Sequence, residues 1–452
     1  MEGEKIMTAR TASVVGLGKL GLPLAACLAT KGFDTIGVDL DAAKVDATNK
    51  GIPAIYEPGL EELLRDSHRH LTATQDIQEA VLDSEVTFIV VPTPSEPEGG
   101  FSLKYVLSVC DSIGRALRSK DDFHLIVLTS TVMPGATQDS VRPALEEASG
   151  KRCGADFGLC YSPEFIALGS VIRDFLNPDF LLIGESDPGS GDALESLYAQ
   201  VCDNSPPVSR MSFINAELAK LAVNTFVTTK ITFANMLARI CEQLPGAQVD
   251  TVTSALGLDS RIGPKYLKGA IGYGGPCFPR DSVALATLGT RIGAPVLLAE
   301  ATHKANLEEV HRLADLVTSM LPPSGVAGIL GLAYKPETDV VEESQGLLLA
   351  QELAERGIST IAYDPAALSA TEHILGDSIK YATSVAKCAQ ESDVLVITTP
   401  WEEFKHIPPQ ALAGRSAPKV VVDCWRILDR QKYEQLVEYV PLGESIKTPG
   451  KE

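Results

Sequence analysis

Short apolar runs rich in β-branched residues recur along the first part of the chain, each separated from the next by a stretch of helical periodicity. They are Thr11–Gly16, Thr35–Asp39, Val86–Pro92, Leu125–Thr131, Gly158–Tyr161 and Phe180–Gly184. Runs that are continuously apolar suit strands covered on both faces, so this alternation predicts parallel βαβ units. Pro206 and Pro207 punctuate the end of that region near residue 205. A long helix follows from Asn215 to Gln243, with Leu218, Leu221, Ala222, Phe226, Ile231 and Met236 among its apolar positions. Shorter helical pieces continue to about residue 310. Strand runs then return at Val326–Gly331, Thr360–Tyr363, Val394–Thr398 and Val420–Asp423, with a helix over Gly346–Arg356 between the first two. The pattern predicts an α/β fold of two doubly wound, Rossmann-like parallel sheets joined by a long central helix and a helical domain. The expected parts are residues 1–205, 206–310 and 311–452, with Gly443–Glu452 reading as a frayed tail.

Composition supports several cores: 45% of the 452 residues are hydrophobic and 22% are charged. The net charge of −20 argues against nucleic acid or an anionic membrane as a partner. An anionic ligand must then be held by local cations and backbone N–H groups. The nine cysteines form no CxxC pair, and the polar segment Met1–Arg10 has no apolar signal region. Together these predict reduced thiols and a cytoplasmic location. No apolar run approaches the roughly 20 residues of a membrane span. The seven histidines do not cluster, so no metal site is expected.

Two segments carry chemistry. Gly16-Leu17-Gly18-Lys19-Leu20-Gly21 is GxGxxG, placed after a strand and opening an apolar helix. Gly16 permits the tight turn, Gly18 lets backbone approach a pyrophosphate, and Gly21 allows close helix packing, while the helix N-terminus offers N–H groups to phosphate. Asp39 ends the next strand, where a carboxylate accepts ribose hydroxyls and repels a 2′-phosphate. The expected cofactor is therefore NAD rather than NADP. The second segment runs Lys268-Gly269-Ala270-Ile271-Gly272-Tyr273-Gly274-Gly275-Pro276-Cys277-Phe278-Pro279-Arg280-Asp281. A lone cysteine is more often a small buried hydrophobe. A glycine-rich approach and a carboxylate shortly after favour a nucleophile here.

This second segment resembles the GxGxGGxCFPKD signature of the UDP-glucose and GDP-mannose dehydrogenase family, nearest its UDP-glucose 6-dehydrogenases. The resemblance extends through Glu57-Pro58-Gly59-Leu60, Thr93-Pro94, Ser130-Thr131-Val132, Pro163-Glu164-Phe165, Glu217 to Asn224, Arg261-Ile262-Gly263 and Gly331 to Thr338. It implies four-electron oxidation of a nucleotide-sugar CH₂OH to a carboxylate with two NAD⁺, through a thiohemiacetal and thioester on Cys277. Lys220 and Asn224, at i and i+4 of the long helix, would donate to the developing oxyanion. Glu164 would serve the hydrolytic water as base, Asp281 would stand beside the nucleophile, and Thr131 would orient a water or the cofactor.

The cofactor contacts implied are Gly16, Leu17, Gly18, Leu20, Gly21, Asp39, Lys44, Thr93, Pro94, Ser130 and Thr131. The substrate contacts implied are Glu164, Phe165, Lys220, Asn224, Arg261, Tyr266, Lys268, Tyr273, Gly274 and Lys335. Arg261 would reach across from a partner subunit in a homodimer, or higher homo-oligomer, built through the central helix. Four positions depart from the family pattern: Leu168 stands for a glutamate, Glu342 and Trp425 for arginines, and Pro276 for a serine. They leave the reaction type intact but bear on which sugar is bound. UDP-glucose stands first, with GDP-mannose, UDP-N-acetylhexosamine and UDP-galactose as alternatives. A two-electron dehydrogenase of the 3-hydroxyacid type and a non-enzymatic sugar-nucleotide sensor are the rivals from other classes.

Overall fold

The structure is a computed structural model that describes residues 9–413 and 419–445. Its contacts gather into two compact units, divided between Ala222 and Val223 within one long helix, Phe213–Gln243.

The first unit is built on eight strands: β1 (Thr11–Val15), β2 (Asp34–Val38), β3 (Leu71–Thr74), β4 (Val86–Ile89), β5 (Leu125–Leu128), β6 (Gly158–Tyr161), β7 (Leu181–Glu185) and β8 (Val208–Met211). Their order is β3-β2-β1-β4-β5-β6-β7-β8, parallel throughout except for the antiparallel β6–β7 pair. Successive side chains leave opposite faces of the sheet. Val127 packs with Leu22, Leu28 and Ile183 on one side, while Ile126 and Leu128 pack with Cys110 and Ile113 on the other. The connection reverses direction between β1 and β4, so the carboxyl ends of these strands form the crevice where such sheets take ligands. β8 extends the sheet past the expected end at residue 205, because the Pro206-Pro207 pair leads into an edge strand rather than a linker.

The second unit begins with the remainder of the long helix and the helices Val249–Gly257, Phe278–Arg291 and Leu297–Met320. The last of these runs past the boundary expected at residue 310. A second sheet follows: β9 (Val326–Leu330), β10 (Ser359–Tyr363), β11 (Lys380–Tyr381), β12 (Val394–Ile397), β13 (Val420–Asp423) and β14 (Glu438–Pro441). Its order, β11-β10-β9-β12-β13-β14, is parallel throughout. The start of the expected frayed tail is instead tied down, with Gly443 donating its N–H to Glu242 Oε1 at 2.9 Å and accepting from the Val249 N–H at 2.9 Å. The remainder of that tail, residues 446–452, and the initial segment 1–8 lie outside the described residues. Among the described residues, no helix is long and apolar enough to cross a membrane.

Candidate active site

The turn after β1 is sterically committed to glycine. Gly16 has φ +104°, and a Cβ on Gly21 would lie 1.8 Å from the Gly16 carbonyl oxygen. Gly18 differs: no atom lies within 4 Å of where its Cβ would be, so this edge of the turn is open to a ligand. The helix Gly21–Thr30 starts at Leu20, which offers no side-chain cap to its first N–H groups. Leu17 is buried, its backbone N–H donating to Asp39 Oδ2 at 2.9 Å. The other oxygen of Asp39 accepts the Asp41 N–H at 2.9 Å. Lys44, on the helix Ala42–Asn49, reaches Asp39 Oδ2 at 3.4 Å. A carboxylate offers about four acceptor positions, so Asp39 retains capacity for a ribose diol. Beside it Leu40 is 82% exposed, an apolar ledge suited to a base; its only signal in the sequence is a leucine directly after the acid.

At the carboxyl ends of β4 and β5, Thr93 Oγ1 donates to the Thr131 carbonyl at 2.7 Å and Ser130 Oγ to the Val91 carbonyl at 2.6 Å. Pro94 follows on the exposed side of this turn, accepting the Ser102 N–H at 2.9 Å. These bonds hold the two loops beside the glycine turn. The open Gly18, the uncapped helix start and the acid fit a dinucleotide lacking a 2′-phosphate. The second sheet has an acid in the comparable place, Asp364 after β10, but it is fully engaged. Asp364 accepts the N–H groups of Leu332, Ala333, Ala366 and Ala367 and the Trp401 indole.

A second group lies farther along the first sheet, beyond β6. Lys220 is buried, with its ammonium 4.4 Å from the centroid of the Phe165 ring and donating to the Glu164 carbonyl. Phe165 stacks in turn on Phe180 at 4.7 Å. Enough protein surrounds the partly exposed Glu164 that desolvation pushes its carboxyl up to about 7, against the opposing pull of Lys220. That is the range in which a carboxylate serves as general base. Glu217, on the same helix as Lys220, anchors it by accepting the Gly135 and Thr137 N–H groups at 2.6 and 2.8 Å. Glu57 likewise accepts the Gly169 and Val171 N–H groups, both at 2.8 Å, and so fixes the turn containing Leu168.

The third group belongs to the second unit. Of the nine cysteines, none in a disulfide, Cys277 alone is exposed. It does more than close the glycine loop: it is the N-cap residue of the helix Phe278–Arg291, whose positive end favours a thiolate. Asp281 is buried one turn on, its N–H bonded to the Cys277 carbonyl at 2.9 Å and its Oδ2 accepting the Asn224 amide at 2.6 Å. Arg280 approaches the other oxygen at 3.5 Å.

The remaining expected substrate residues divide. Tyr266, half exposed at φ +63°, meets the Phe278 ring edge-on at 6.3 Å. Lys268 is exposed and 3.7 Å from Asp250. Arg261 is exposed, its guanidinium forked onto Asp259 at 3.0 and 2.6 Å. Lys335 is partly exposed on the loop after β9. Tyr273 is buried, and a Cβ on Gly274 would lie 2.2 Å from the Glu343 carbonyl oxygen, so both are packed into the protein.

Residues 10–202, 214–308 and 328–430 match, in that order, the NAD binding, central and UDP binding domains of the UDP-glucose/GDP-mannose dehydrogenase family. The chain belongs to this family. It is 37% identical to a UDP-glucose 6-dehydrogenase of Haloferax volcanii over 94% of this chain and 99% of that one. A GDP-mannose 6-dehydrogenase of Pseudomonas aeruginosa is 33% identical over 90% of this chain and 96% of its own. The solved UDP-glucose dehydrogenase of Pyrobaculum islandicum superposes with a TM-score of 0.87 at 33% identity, covering 99% of both chains. As a member of the UDP-glucose/GDP-mannose dehydrogenase family the chain is an NAD-dependent nucleotide-sugar dehydrogenase. One departure from the family pattern acquires a local account: Trp425 donates its indole N–H to the Thr398 carbonyl at 2.8 Å.

Proposed function

We propose that this dehydrogenase oxidises UDP-glucose to UDP-glucuronate through a covalent thioester on Cys277. The observation that carries the reading is the placement of Cys277: the exposed thiol of the chain, at the start of a fourteen-residue helix, one turn from a buried carboxylate. NAD⁺, when bound, accepts the hydride. The C6 alcohol loses a hydride to the cofactor and a proton to solvent water to become an aldehyde. The Cys277 thiolate adds to that carbon, forming a C–S bond, and the resulting oxyanion is stabilised by Lys220 and Asn224 as cationic and amide donors. Loss of a second hydride, to a second NAD⁺, leaves the thioester. Glu164, with its raised carboxyl, takes a proton from water, whose oxygen attacks the thioester and releases the carboxylate and the Cys277 thiol. Thr131 positions water or cofactor, and Arg261, Tyr266, Lys268 and Lys335 serve the nucleotide sugar, while the buried Tyr273 and Gly274 shape the loop instead of touching the substrate. The greater identity to the UDP-glucose relative, 37% against 33%, favours UDP-glucose over GDP-mannose.

We also propose a homodimer, or a higher assembly, through the long helix. Phe226, Phe233, Met236 and Ile240 are each 44% exposed or more along it, an apolar stripe of the kind that marks protein interfaces. A reducing cytoplasm suits a chain whose cysteines are all outside disulfides.

The test is a panel of nucleotide sugars followed by NADH absorbance, with product counted. Two NADH per product, fastest with UDP-glucose, is expected; one NADH per product returns the two-electron rival. Cys277→Ser should lose turnover by orders of magnitude, or accumulate a slowly hydrolysing ester seen by intact-mass spectrometry. Near-native turnover in that variant removes the thioester.

A further inference from the structure

The segment leading to Cys277 is irregular backbone that is nonetheless buried from Gly269 to Gly275. Buried N–H and C=O groups outside helices and sheets need partners from elsewhere. Here side-chain amides supply them. Asn235, 3% exposed on the long helix, accepts the Ala270 N–H at 2.9 Å and donates to the Ile271 carbonyl at 2.8 Å. Asn306, 6% exposed on the helix Leu297–Met320, accepts the Tyr273 N–H at 2.8 Å and returns a bond to the Tyr273 carbonyl at 2.9 Å. Gln345, at the start of the helix Gln345–Glu355, donates to that same carbonyl at 3.3 Å. An amide that both donates and accepts fixes the path of the main chain as a β-ladder would, but from a side chain.

Three helices thus grip one loop, and the loop ends at the nucleophile. We propose that Asn235 and Asn306 are positioning residues for Cys277, holding its loop so that the thiol meets the reacting carbon at the start of the helix Phe278–Arg291. Neither touches the thiol; they act through the backbone of residues 270–273. The proposal rests on the assignment of Cys277 as nucleophile. Asparagine is required on chemical grounds, because aspartate keeps the acceptor but sets a second oxygen against the carbonyl that the amide now donates to.

The experiment uses the whole protein with Asn306→Asp and Asn235→Asp, at a temperature where circular dichroism shows each folded. Three quantities are read: kcat, KM for NAD, and the rate of iodoacetamide alkylation followed at the Cys277 peptide by mass spectrometry, which separates it from the partly exposed Cys202. A loop displaced by a fraction of an ångström should lower kcat on the order of tenfold or more and alter the alkylation rate about threefold or more, with KM for NAD within roughly twofold. A lowered melting temperature with unchanged kcat and unchanged alkylation overturns the proposal, since a merely structural role predicts that outcome. Should both aspartates fail to fold, milder variants at the same two positions are used. Asn306→Gln and Asn235→Gln, which keep donor and acceptor but displace them by one methylene, then take the place of the aspartates; they should lower kcat and shift alkylation, and native values for both overturn the proposal. Alkylation reports loop geometry whether or not a thioester forms, so a fully active Cys277→Ser removes the mechanism without deciding this test.

Discussion

The side-chain amide of Asn224 donates to Asp281 Oδ2 at 2.6 Å, joining the long helix to the helix that begins at Cys277. Both side chains are buried, so the bond is made out of water. Losing one partner strands the other. Asn224→Ala should cost about 1.5–3 kcal/mol of stability in urea melts. A double-mutant cycle with Asp281→Ala should return a coupling of about 1 kcal/mol or more. A coupling near zero would show that the short contact carries no energy.

Asp39→Ala should weaken NAD binding by about 1.5–3 kcal/mol, the worth of hydrogen bonds to a charged group, measured by titration calorimetry. Because Asp39 also accepts the Leu17 and Asp41 N–H groups, the substitution should lower the melting temperature modestly as well. Asp39→Asn should keep much of that local order and narrow the preference for NAD over NADP. An unchanged NAD affinity in both variants would place the cofactor elsewhere.

Glu164 has a folded-state carboxyl near 7 against an ordinary value of 4.5, raised by desolvation despite Lys220. The folded state therefore holds this proton more tightly than the unfolded chain does. Its contribution to stability is present below the unfolded value and is lost as pH rises through about 7. Glu164→Gln should thus be more stable relative to wild type at alkaline than at acid pH, by up to about 3 kcal/mol. Lys220→Ala removes the charge that holds the carboxyl down, so the pH–rate profile should move to higher pH while kcat falls by about 3–4 kcal/mol in barrier terms. A profile that stays in place would mean Glu164 is not the titrating base.

The apolar stripe yields a direct test of association. Phe233→Asp, alone and with Phe226→Asp, places charge on the exposed face of the long helix and should shift the sedimentation of the protein toward the monomer. If Arg261 completes a partner's site, mixing Arg261→Ala with Cys277→Ala should partly restore activity. A fully active monomer would exclude both arrangements.

All ten strands expected from apolar runs are present, and the four absent from that reading are β3, β8, β11 and β14, the edge strands of the two sheets. The reason is physical. A central strand of a parallel sheet is buried on both faces and must be apolar, so its pattern survives in the sequence. An edge strand such as Val208–Met211 or Lys380–Tyr381 is half exposed and is made a strand by its neighbour's hydrogen bonds.

The same division holds at the site. Residue type and spacing nominate the glycines of the β1 turn, Asp39, Cys277 and Asp281 as candidates, while Lys220 and Asn224 are nominated only through the family resemblance. Asn235, Asn306 and Gln345 carry no such signal, since an isolated amide on a helix reads as solvent-facing, and only the folded loop shows which carbonyls they answer. The sequence by itself determined the family and the two-sheet architecture, because burial and motif chemistry act locally through residue type. Tertiary structure alone decided the sheet edges, the helix-start placement of Cys277 and the raised carboxyl of Glu164. Each of these depends on what other segments bring within a few ångströms, which spacing along one chain does not encode.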